Sequence, residues 1–151
     1  MSYKIFSIGV VVIGLLMTSL VSAKTDNREA NKKVVAAFYN LAFSKHDPEN
    51  AMKKYVGPKY IQHNPMAGDG KEPFIGFFKG YYKEHPQAAT SVKRLIAERD
   101  LVVVHAHSKQ TPSDLGTAAM DIFRLENGKI VEHWDVIQQV PEKAANQNTM
   151  F

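Results

Sequence analysis

No cysteine occurs in the 151 residues. A disulfide framework, a thiolate metal site and lipid attachment at a cysteine are therefore excluded, and the folded chain depends on its hydrophobic core alone. The GxGxxG, GxxxxGK[ST] and GxSxG patterns are also missing, so dinucleotide, nucleotide and serine-hydrolase chemistry lack their local signatures. Lysine and arginine exceed the acidic residues, 19 against 15, but they are scattered and form no stripe with interleaved aromatics. A nucleic-acid partner is not expected from such a distribution. Neither an internal repeat nor a low-complexity segment is present.

What the chain does have is 44% hydrophobic residues, enough for one compact domain with a sizeable core. The first stretch stands apart from that domain. Lys4 precedes an apolar run from Ile5 to Leu20, and Val21-Ser22-Ala23 offers small residues for cleavage. Residues 1–23 read as a secretory signal peptide, which makes the mature domain residues 24–151, secreted or periplasmic. A membrane anchor is the competing reading, because the run approaches the ~18 residues of a spanning helix. The small-residue cleavage site favours removal, leaving no membrane contact in the mature chain.

Helical periodicity dominates the first half. From Asn27 to Lys45 the residues Val34, Val35, Phe38, Leu41 and Ala42 recur at steps of three and four, and Asp26 with Glu29 fits a capping box. A second, shorter helix starts sharply at Asp47-Pro48 and stops at Gly57-Pro58. Lys59 to Pro65 is extended and runs into a turn-rich loop. In the third helix Phe74, Phe77, Phe78, Tyr81 and Tyr82 lie on one stripe, ended by Pro86. Such a stripe is more often core than a binding box, although it can also form the wall of a pocket.

After Thr90 the period changes to two. Ser91–Ala97 and Leu101–Lys109 read as strands, and Thr117–Gln139 as a hairpin turning at Asn127-Gly128, the pair suited to φ > 0 in a type I′ turn. Helices followed by an antiparallel meander predict an α+β domain. A regular two-residue turn sets Asp121 opposite Trp134 and Phe123 opposite Glu132. Asp121, Phe123 and Trp134 then share one face, and His133 and Asp135 lie on the other with Arg124. One bulge would shift the register and exchange these sets.

A carboxylate between an indole and a phenyl ring is a setting in which desolvation raises its pKa towards that of a general acid or base. The plainer reading of Asp121 is a buried structural carboxylate. His63 sits in a loop, and His105 and His107 share a strand face with Leu101 and Val103. Three imidazoles and a carboxylate raise the thought of a metal, but no HExxH or comparable spacing supports one, and none is expected.

The segments YIQHNP (Tyr60 to Pro65), VHAH (Val104 to His107) and MDIFRLENGKIVEHWDVIQ (Met120 to Gln138) resemble the SnoaL-like branch of the nuclear transport factor two superfamily. The resemblance implies three N-terminal helices closing over a strongly curved antiparallel sheet, with a cone-shaped pocket between them and a homodimer packed through the sheet. It further implies proton abstraction next to a carbonyl, of aldol, cyclase, lyase or isomerase type, without metal or organic cofactor. Asp121 matches the motif's acid as base, and His63 matches its histidine as proton donor or enolate stabiliser. His105, His107, Trp134 and Phe78 are expected to line the ligand pocket. The alternative is a non-catalytic domain holding an apolar small molecule. An epoxide-hydrolase variant, which needs an arginine beside two carboxylates, ranks lower because Arg124 lies an odd number of residues from Asp121.

Overall fold

The computed structural model describes residues 26–151, so the leader expected at residues 1–23 lies outside the described residues. Helix α1 (Arg28–Tyr39) carries Val35 and Phe38 into the core and continues into a π-turn, Asn40–Ser44. The expected capping box does not form: Asp26 accepts instead from the backbone and guanidinium of Arg28, with Asn27 at the cap. Helix α2 (Pro48–Tyr55) begins as its sequence dictates, with the Asp47 carboxylate accepting from Asn50 N–H at 3.1 Å. At its far end the Lys71 ammonium donates to the Val56 carbonyl at 2.8 Å, and this cation at a helix C-terminus ties in the start of α3 (Lys71–Glu84).

Five strands form one sheet in the order β1-β5-β4-β3-β2: β1 Val56–Gln62, β2 Ala89–Glu98, β3 Leu101–Lys109, β4 Thr117–Glu126 and β5 Lys129–Gln139. Strands β2 to β5 pair antiparallel, whereas β1 pairs parallel to β5. The antiparallel expectation therefore holds for the meander and needs correction at its edge, where α3 and the strands after it return the chain from β1. Alternation on β3 buries Val102, Val104 and Ala106 against the helices, where they meet Phe38, Met52, Phe123 and Ile130. The opposite face of β3, with His105 and His107, looks outward. Among the described residues no helix is long and apolar enough to cross a membrane.

The hairpin register differs from the regular one at a single point. Asn127 (φ 50°) and Gly128 (φ 71°) make the two-residue turn, and Glu126 pairs with Lys129 as expected. Leu125 then pairs with Ile130 but Arg124 with Glu132, so Val131 is an extra residue on β5. Ile130 and Val131 are both buried, at 0% and 7% exposure. Strict alternation would leave one of these neighbours in water, and a bulge lets both face protein. Beyond it every β5 side chain has changed sides.

Candidate functional site

Because of that bulge Phe123 faces His133 and Asp121 faces Asp135, while Trp134 pairs with Ile122 on the outer face. This corrects the expected grouping of Asp121 with Trp134. Strand β1 supplies the rest: its inward positions continue from Tyr60 through Gln62 to Asn64, and His63 between them points outward. Three segments thereby bring Gln62, Asn64, Asp121, His133 and Asp135 to the lining of one cavity.

Their hydrogen bonds fix the identity of nearly every atom. The Asn64 backbone N–H donates to Gln62 Oε1 at 3.0 Å, so that atom is the amide oxygen. His133 Nδ1 lies 3.0 Å from the same oxygen and must donate to it. His133 Nε2 then faces Asp121 Oδ1 at 2.9 Å, where two bare lone pairs would repel, so one proton lies between them. Oδ2 of Asp121 accepts from the Tyr39 hydroxyl at 2.5 Å. Burial, then the Asp121 charge, pushes the Tyr39 pKa well above its ordinary value, which keeps this phenol a donor.

Asp135 has a different environment. Met66 N–H donates to Asn64 Oδ1 at 2.8 Å, which turns the Asn64 amide nitrogen towards Asp135, 2.8 and 3.0 Å from its two oxygens. No other side chain among the described residues hydrogen-bonds this carboxylate, and it is only partly buried. Asp121 and His133 are 8% and 6% exposed. Nearby, the hydroxyl of buried Tyr60 has no partner among the described residues, and burial followed by the Asp121 and Asp135 charges raises its pKa.

The cavity measures about 400 Å³. Its polar end is the cluster just described, and the rest of the wall is largely aromatic: Phe43 from the π-turn and Phe74, Phe77, Phe78, Tyr81 and Tyr82 from α3. The stripe of α3 is thus pocket wall more than core. None of its rings is fully buried, although Phe74 also packs on Phe38 at 5.8 Å. Phe78, expected to line a ligand pocket, is among these wall residues.

Four other residues singled out from the sequence lie elsewhere. His63 stacks on Trp134 at 4.6 Å and meets Glu132 Oε1 at 2.9 Å, outside the cavity. His105 meets Arg94 at 2.8 Å and His107 the Leu115 carbonyl at 2.8 Å, and Phe151 stacks on both rings. The reason is parity: each sits one residue out of phase with the inward positions. Arg124 is likewise on the outer face, held by Glu126 and Glu132 at 2.5 Å. Gln62, Asn64, His133 and Asp135 were not expected in the site. The alternation of Tyr60, Gln62 and Asn64 was the signal for the first two, and the adjacent pair Ile130-Val131 for the others.

Asp121, His133 and Asp135 present one ligand atom each within 4.8 Å of one another, a donor set suited in kind to a divalent cation. Here His133 Nε2 and both Asp121 oxygens are engaged in hydrogen bonds, and Asp135 meets the Asn64 amide.

Comparison with known proteins agrees with this architecture. A search of curated proteins gives no match. Among solved structures, AclR of Streptomyces galilaeus, a candidate hydroxylase, superposes with a TM-score of 0.63 at 20% identity, covering 74% of this chain and 90% of its own. IdmH of Streptomyces antibioticus, a candidate polyketide cyclase, gives 0.59 at 18%, covering 71% and 91%. An NTF2-like protein of unknown function from Mesorhizobium loti gives 0.62 at 14%, covering 77% and 97%. At such identities the likeness carries the fold. The sequence profile of the SnoaL-like domain matches residues 35–133, a span from the middle of α1 to His133 itself, and the chain belongs to the SnoaL-like family.

Proposed function

We propose that this SnoaL-like protein is an exported, cofactor-independent enzyme that moves a proton next to a carbonyl group of a small apolar molecule. One observation carries the reading: two carboxylates at the polar end of an aromatic cavity have different hydrogen-bond partners. Asp121 shares a proton with His133, and Asp135 is an open acceptor. Paired carboxylates with unlike environments are the usual basis for separate acid and base roles. This hydrogen-bond pattern favours Asp135 as base over Asp121, the residue the family motif suggested for that role.

In the proposed reaction Asp135 accepts the α-proton, and the C–H electron pair moves into the carbonyl to give an enolate. The proton held between His133 and Asp121 passes through Asp121 to the enolate, on oxygen or on a different carbon. Asp135 then returns its proton to the pair. Protons balance, and no electron leaves the substrate. An aldol closure follows the same first step, with the enolate carbon attacking a second carbonyl.

The test is α-hydrogen exchange in D2O, followed by NMR across a panel of aromatic ketones. Exchange by the native chain that Asp135→Asn abolishes, with the fold intact by circular dichroism, supports the enzyme. Ligands that bind without exchange leave the alternative, a non-catalytic small-molecule carrier. Two further expectations belong with the proposal. Exposed Ile96, Met120 and Val136 on the outer sheet face support a homodimer, and sedimentation at one chain mass would count against it. Export is checked by N-terminal sequencing, with cleavage after Ala23 expected.

A further inference from the structure

We propose that the cavity selects its ligand by charge, taking aromatic compounds that carry a protonated amine in preference to neutral ones and rejecting carboxylates. The inference deepens the reading above, since it concerns the same cavity, but it stands on a separate count of charges.

Among the described residues, four ionisable groups other than tyrosine line the cavity: Lys109, Asp121, His133 and Asp135. The Asp121–His133 pair sums to zero whichever of the two atoms holds the shared proton. The Lys109 ammonium donates to the exposed Pro112 carbonyl at 3.0 Å. Beside it is Asp114, whose carboxyl is held below its ordinary value by the backbone N–H groups of Gln110 and Gly116, and by the Lys109 charge. The Asp114 carboxylate lies within the field of Lys109 and offsets its charge. Asp135 remains, with an amide from Asn64 as its one side-chain donor and no cation bonded to it.

The wall acts in the same direction. Phe43, Phe74, Phe78 and Tyr82 offer rings to the cavity, and an aromatic face carries the negative end of its quadrupole. Such faces attract ammonium groups and disfavour anions. Tyr60, whose buried hydroxyl lies within the field of both aspartates, adds no positive charge there. An amine on the ligand is attracted through this field from anywhere in the cavity. It need not occupy the lone pair of Asp135 that would receive a proton.

The experiment uses three probes of one shape: 2-naphthylmethylammonium, 2-naphthylmethanol and 2-naphthoate, titrated into the native chain at pH 7 by isothermal calorimetry. The ammonium is expected to bind about tenfold more tightly than the alcohol, and the carboxylate at least about tenfold more weakly. Asp135→Asn should bring all three within about threefold of one another. Equal binding by the native chain overturns the proposal, as does binding by none of the probes or a ranking unchanged in Asp135→Asn. The native ranking can overturn the proposal without the variant, so a poorly folding Asp135→Asn leaves the test intact. Turnover is not read, so a missing α-exchange sinks only the enzymatic reading, and a missing charge ranking only this one.

Discussion

Asp121→Asn and Asp121→Ala should differ far more than two truncations of one side chain ordinarily do. In Asp121→Asn the amide oxygen can still accept from the Tyr39 hydroxyl, and its NH2 can donate to His133 Nε2. His133 then gives up the shared proton and keeps Nδ1–H on Gln62, and every partner in the chain Tyr39–121–133–62 stays satisfied. The expected stability change is within about 1 kcal/mol, the scale of one exchanged hydrogen bond. In Asp121→Ala the Tyr39 hydroxyl loses its acceptor, and a His133 side chain 8% exposed must either remain charged without a partner or lose a proton with nothing to bond Nε2. Removing one member of a buried pair costs about 3–5 kcal/mol. For a domain of this size that corresponds to roughly 10–20 °C in Tm. Urea denaturation gives the two energies, and 15N-detected imidazole spectra report the proton: Nε2 shares it with Asp121 in the native chain and is bare in Asp121→Asn. Equal destabilisation by the two substitutions would refute the proton count, and so would a His133 that stays doubly protonated beside Asn.

Two predictions concern the surroundings of the site. Phe123, at 2% exposure and in contact with Phe38, Tyr39 and His133, supports the cluster from below. Its truncation to alanine should cost about 3–5 kcal/mol in urea denaturation, and a loss under about 1 kcal/mol would show that the site does not rest on this ring. On the outer face, hydrogen bonds from His63 and then Arg124 hold Glu132 below its ordinary value of 4.5. The folded chain therefore binds fewer protons than the unfolded chain near that pH. The associated stability is complete above 4.5 and is lost as pH falls through the lowered folded value. Glu132→Gln should flatten the fall of stability as pH drops below 4.5, and parallel curves for the two proteins would count against this role.

Local chemistry placed most elements. Asp47-Pro48 starts α2, the aromatic period of α3 shows on its face, and Asn127-Gly128 turns the hairpin where such residues must. Site membership was harder to read, because in a strand it depends on parity, and one bulge inverts it. His63 drew attention as an imidazole in a recognisable motif, yet its neighbours Gln62 and Asn64 have the inward phase. Chemical interest and direction are independent properties of a strand residue. Trp134 exchanged places with His133 and Asp135 for a similarly small cause, the one extra residue at Val131.

By itself, then, the sequence determined the α+β order, the helix starts, the turn, the family and the presence of an acid at position 121, since each depends on neighbours within a few residues or on a stretch matched as a whole. Only the tertiary structure decided which side chains meet. A parallel partner for β5 brings Gln62 and Asn64 beside His133 and Asp135, and the shared proton follows from an amide whose orientation is set by a backbone N–H two residues away. Burying Ile130 and Val131 together is a demand of the core, and it turned the β5 face that meets the cavity.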